Sequence, residues 1–242
     1  MADLATIKEL SAAGCHQECL QACQNALQGN PEETYAYKYA GKSLLALGQF
    51  EKAQQCLVKA HQLDGSDPEI VKDIGNIFNT IKNYQEALKY YNFAIKINPN
   101  YAPAINNLGL IAKQQGDLQV AKQLVERARD LDPTFAPFHL NLCGIYKDLG
   151  NLDQALASTL QSLEIKPDNP AAANNISGFI DQLNLSPSNV QNATRAYELL
   201  LNRTDISHRK LTKMFLQAFL PTIQKASATD PIICDGNEAL KH

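Results

Sequence analysis

One spacing constrains this chain more than any other property: a set of small residues and prolines returns every 34 residues. Gly41, Gly75 and Gly109 share one place, and Cys143 takes the next. Ala53, Ala87, Ala121 and Ala155 share a second, Ala60, Ala94 and Ala128 a third, and Pro99, Pro133 and Pro167 a fourth. A period of this length is one supersecondary unit, too short to enclose a core of its own. Successive units must therefore stack to bury their apolar faces. The chain is predicted to be all-α, an elongated stack of antiparallel helix pairs. Its 242 residues need not be divided among globular cores.

The pattern inside each period supports that reading. Four units follow without insertion across 34–169: 34–67, 68–101, 102–135 and 136–169. In the first helix of each, the small residue lets the second helix approach closely. Tyr37, Leu44, Phe78, Leu108 and Tyr146 recur beside it at helical spacing. The second helix opens on Phe50, Tyr84, Leu118 or Leu152, and its two small places, seven residues apart, share one face. Gly48, Gly116 and Gly150 stand between paired helices, where a positive φ is wanted, and the prolines stop the second helix. Asp67 before Pro68 reads as a cap followed by a first-turn proline.

The ends are less regular. Residues 1–33 fit a degenerate opening unit, with Gly14, Ala26 and Pro31 in register. Residues 170–203 form an irregular fifth pair, in which Ser177 takes the glycine place and Ala193 arrives four residues late. The turn-rich stretch 183–189 is expected to absorb that insertion. A capping helix is expected over 204–226, with Leu211, Met214, Phe215, Ala218 and Phe219 inward and Leu216, Leu220 and Ile223 as surplus apolar surface. Residues 227–242 read as a tail or the start of a further domain.

Charge narrows the class of partner. With 22 basic and 25 acidic residues and a net charge of −3, no nucleic-acid or anionic-membrane surface is expected, since both need concentrated positive charge. No apolar run is long enough for a membrane span and no signal-peptide pattern opens the chain, so a cytoplasmic protein is expected. The six cysteines fall on helix positions and read as small core fillers. Cys15, His16, Cys19 and Cys23 are the one cluster with metal-like residue types. Ligands spread over two helical turns do not converge on a tetrahedral ion, and packing is the preferred reading.

Glycine, alanine, alanine and proline recurring together in register resemble the tetratricopeptide-repeat family over about residues 1–203. The resemblance implies a right-handed superhelical solenoid, about five units plus a capping helix, whose first helices line a concave groove for a protein or peptide. In those helices Asn107, Asn141 and Asn175 occupy one column, with Asp73 and Tyr39 in the same place earlier. The column resembles the asparagine ladder of O-linked N-acetylglucosamine transferase-type repeats. An amide supplies both donors and an acceptor, so a column of them can pair with the backbone of an extended peptide whatever its side chains. The competing reading is a column of tolerated polar residues on a solvated face.

Lys38, Lys42, Lys72, Lys113 and Lys147 lie one or two columns away, and Asn76 completes the groove set. These lysines either attract acidic groups on a ligand or keep the surface soluble. The dicarboxylate-clamp subfamily is similar only in part. Lys38 matches its first lysine, whereas Lys42, Asp73 and Pro103 depart from its pattern. Tyr35 and Tyr39 are further groove candidates, and Tyr37 reads as core.

No phosphate loop, zinc motif, nucleophile elbow or paired-carboxylate arrangement is present. No catalytic, cofactor-binding or metal-ligating residue is expected. The reading is a non-catalytic module that binds an extended peptide or protein segment in the groove. The alternative is the substrate-recruiting region of a larger, glycosyltransferase-like enzyme whose catalytic domain lies beyond residue 242. Self-association through the C-terminal helix is a third possibility.

Overall fold

A computed structural model of the chain describes residues 3–177, 187–201, 212 and 215. Among them the structure is all-α, without a strand. The expectations for 204–226 and 227–242, apart from Thr212 and Phe215, lie outside the described residues. The chain divides into two compact units, Met1–Gln115 and Gly116–His242.

The N-terminal unit holds α1 (Leu4–Ala12), α2 (His16–Gly29), α3 (Thr34–Ala46), α4 (Phe50–Leu63), α5 (Pro68–Thr80), α6 (Tyr84–Ile97) and α7 (Ala102–Gln114). First helices α3, α5 and α7 start 34 residues apart, and so do second helices α2, α4 and α6. The starts have local causes. The Asp67 side chain accepts from the Glu69 amide at 2.8 Å, Pro68 occupies the first turn of α5, and the Asn83 side chain caps α6. Helix α3 packs on α2 and α4, α5 on α4 and α6, and α1 on both α2 and α3.

The small places are where paired helices touch. Ala53, Ala60, Ala87 and Ala94 are all 0% exposed. A methyl group on Gly41 would lie 2.5 Å from Leu57 Cγ, and one on Gly75 would lie 2.6 Å from Tyr91 Cε1. Both are distances that real contacts avoid, so glycine is required for the close approach. Leu57, Ile70, Ile74 and Tyr91 fill the resulting core, each contributing roughly 2 kcal/mol by leaving water. Between the helices of a pair, Gly14 and Gly48 adopt positive φ. Lys82 takes the corresponding place after α5 with φ 61°, a conformation that its sequence does not announce.

The C-terminal unit holds α8 (Leu118–Leu131), α9 (Ala136–Asp148), α10 (Leu152–Ile165), α11 (Pro170–Ser177) and α12 (Pro187–Leu201). Helix α9 packs on α8, α10 and α11, and α10 on α11 and α12. The same small-residue logic holds: Ala121, Ala128, Ala155 and Cys143 are fully buried, and Ser162 fills the second alanine place of α10. In α12 the inner face is Ala193, Ala196 and Leu200. The helix begins at Pro187, inside the stretch expected as a loop, because proline suits a first helical turn. Of the expected C-terminal stripe, Phe215 is described and is buried against Tyr197, whose hydroxyl pairs with Thr212 at 3.0 Å.

Candidate functional site

In the N-terminal unit, the first helices join several of the expected groove residues into one polar network. Lys72 donates to Asp73 Oδ1, and the Asn76 amide donates to the same oxygen at 3.2 Å. Asn76 Oδ1 in turn accepts two hydrogen bonds of 2.9 Å, one from the Tyr91 hydroxyl and one from Asn107 Nδ2. Asn107 Oδ1 accepts from Asn106 at 3.1 Å. The chain of contacts therefore runs from α5 across to α7, with Tyr91 of α6 supporting it from beneath.

That arrangement changes what each member can do. Asn107 is half-buried and held at both ends of its amide, and it also hydrogen-bonds the Tyr91 hydroxyl. Asp73, in the same column, is 3% exposed, and its Oδ2 has no hydrogen-bond partner. Burial pushes its carboxyl above the ordinary range, and the Lys72 charge offsets this only in part. It is a buried anchor for Asn76 and Lys72.

The lysines are equally engaged. Lys38 lies 2.7 Å from Asp67 Oδ2 and 2.5 Å from Glu69 Oε2, and Lys42 lies 2.7 Å from Glu69 Oε1. Burial alone would raise the Glu69 carboxyl, but hydrogen bonds from Lys38 and then Lys42 outweigh it and hold the group at about 2. Lys42 also stands 5.3 Å over the ring of Tyr39. Tyr35 and Tyr39 are partly buried against the core formed by α1, α2 and α3, and Tyr37 against the next core along. Lys113 is half-buried in the last turn of α7.

In the C-terminal unit, Asn141 on α9 and Asn175 on α11 are both half-buried, and Lys147 is exposed at the end of α9. A separate cleft of about 330 Å³ is lined by Arg129, Pro133, His139, Gln161, Glu164 and Ile165. There the His139 Nε2 pairs with the Pro133 carbonyl at 2.8 Å. This cleft does not include the asparagines.

Sequence reasoning missed the partners Tyr91, Asn106, Asp67 and Glu69. Asp67 was legible as a cap, and an acid two residues further on is common in a first helical turn. Neither signal says that the carboxylates reach back to lysines of the preceding unit. The thiol of Cys23, in the cluster with metal-like residue types, is pushed up to about 12, first by burial and then by Cys19.

Two family models match the chain, both described as tetratricopeptide repeat, over residues 70–101 and 112–176. Superkiller complex protein 3 of Mus musculus is 28% identical over 40% of the chain and 6% of its own length. The protein O-mannosyl-transferase TMTC3 of Homo sapiens is 25% identical over 46% of the chain and 12% of its own length. The photosystem I assembly protein Ycf3 of Cuscuta gronovii is 32% identical over 41% of the chain and 65% of its own length. The chain thus spans less than two thirds of each of these relatives. Among solved structures, a thermophilic TPR protein of Thermus thermophilus superposes with a TM-score of 0.66 at 22% identity, over 73% of this chain and 97% of that one. The Cut9–Hcn1 hetero-tetramer of APC/C superposes with a TM-score of 0.70 at 16% identity, over 89% of this chain and 42% of that one. These similarities show the fold.

Proposed function

Because this chain is a tetratricopeptide-repeat protein, we propose that its first helices bind an extended segment of another protein, with Asn107, Asn141 and Asn175 pairing to the backbone of that segment. The observation that carries the reading is the state of Asn107. Its amide is oriented by Asn76 and Asn106, yet the residue is only half-buried, so a partner can still reach it. An oriented amide loses little side-chain entropy when a partner arrives, so each new hydrogen bond contributes more of its strength. Affinity then depends weakly on most side chains of the partner, as it does wherever main-chain pairing dominates.

The experiment is capture from a lysate of the source cell by wild-type protein and by the triple variant N107A/N141A/N175A, with identification by mass spectrometry. Partners lost with the variant support the reading. Partners held equally by both contradict it.

A second reading, that these repeats recruit substrate for a larger transferase, is favoured by one observation: the similarity to an O-mannosyl-transferase across 46% of the chain. Sequencing the gene on either side of this segment tests it. An adjoining transferase domain supports it, and a reading frame that closes without one overturns it.

A further inference from the structure

We propose that Glu69 is a resident occupant of a carboxylate-binding notch made by Lys38 and Lys42, so that the first-helix face of the N-terminal unit excludes an acidic segment and accepts an uncharged one. The inference rests on the peptide-binding reading above and adds the class of segment selected.

Lys38 and Lys42 are one turn apart on α3, so both ammonium groups leave the helix on the same side. Each takes one oxygen of Glu69, Lys38 at 2.5 Å and Lys42 at 2.7 Å. That is the arrangement a carboxylate of a bound peptide would need, supplied here from the first turn of α5. Asp67 closes the other side of Lys38 at 2.7 Å. Lys72, on α5, is held by Asp73. On α3 and α5, three lysines thus meet three carboxylates, and this cluster offers no unpaired cation to an incoming carboxylate.

Partial burial gives the exclusion its strength. The Lys38 side chain is 15% exposed and that of Glu69 is 31% exposed. An incoming carboxylate must displace Glu69, shed its own water and leave the displaced carboxylate unpaired in a half-buried place, and each of these steps opposes binding. A segment carrying glutamine or serine there meets none of these penalties.

The test uses the full chain and two fluorescein-labelled dodecapeptides, identical except that one carries three adjacent glutamates and the other three glutamines. The variant D67N/E69Q keeps the size of both side chains, and asparagine preserves the cap of α5. The wild type is expected to bind the glutamate peptide at least about tenfold more weakly than the glutamine peptide. D67N/E69Q is expected to gain at least about tenfold for the glutamate peptide alone, and the gain should vanish in high salt. Adding K38A/K42A to that variant should abolish the gain. Wild-type protein that prefers the glutamate peptide overturns the proposal, as does a folded D67N/E69Q without any gain. Helicity by circular dichroism establishes folding for each variant. The peptide-binding reading fails separately, if the glutamine peptide binds N107A/N141A/N175A as well as it binds wild type.

Discussion

Asn76 and Asn107, 31 residues apart on successive first helices, are joined side chain to side chain at 2.9 Å. The same Asn76 oxygen holds the hydroxyl of Tyr91, a residue with 0% exposure. The candidate partner-binding column and the core of the repeat therefore share one atom. A change at the surface column should be felt in stability, and a change in the core should be felt at the column.

Removing the shared atom tests that coupling. N76A strands the buried Tyr91 hydroxyl and should cost about 2–3 kcal/mol, whereas Y91F alone should cost about 1 kcal/mol. In the double variant the second change should be nearly free, since the hydroxyl left without a partner is removed as well. Urea unfolding of the four proteins reads the coupling directly. Strict additivity would show that the two bonds act independently.

Gly75 faces the same ring. An added Cβ would meet Tyr91 Cε1 at 2.6 Å and Cδ1 at 2.8 Å, and the ring is tethered by its hydroxyl. G75A should therefore lose about 2–3 kcal/mol as overpacking. The corresponding place in α9 already carries Cys143, fully buried, so C143A should leave a small void and cost less, about 1 kcal/mol. Thermal melts of the two variants check the order.

Lys82 sits at φ 61°, where the equivalent positions of other units are glycine. A side chain in that conformation costs about 1–2 kcal/mol, and glycine relieves it while adding freedom to the unfolded chain. K82G should raise stability by roughly 0.5–1 kcal/mol, seen as a higher melting temperature. An unchanged or lower melting temperature would contradict this.

Two carboxylates should shape the acid response with opposite signs. Glu69 is held at about 2 in the folded chain against an ordinary 4.5. Its contribution is thus complete above about pH 4.5 and is lost as pH falls toward 2. Asp73 is raised by burial, so it favours folding when protonated, and that benefit is lost as pH rises. E69Q should flatten the fall of the urea midpoint in acid. D73N should raise the midpoint near neutral pH, because asparagine, which later units carry at this place, removes the buried charge. An E69Q profile parallel to wild type would argue against the Lys38–Glu69–Lys42 cluster.

The fold was legible because its signals are local and repeated. Proline, glycine and the paired alanines each act within a few residues, and their recurrence marks the starts of α3, α5, α7, α9 and α11. What the spacing could not disclose depends on contact between units. Lys38 and Lys42 read as cations beside a groove, but their partners lie in the next unit. Asp73 read as a surface member of the column, but the fold buries it. Lys82 carries no residue-type mark of its positive φ. Pro187 sits within a turn-rich stretch yet opens α12, since its role depends on the helix that follows.

The most direct test of backbone recognition is a titration with a dodecapeptide selected by wild-type protein from a random display library, comparing wild type with N107A/N141A/N175A. Loss of three hydrogen bonds at about 0.5–1.5 kcal/mol each predicts weakening of at least about tenfold, with the helical signal retained. Equal affinity in a folded triple variant would contradict the account.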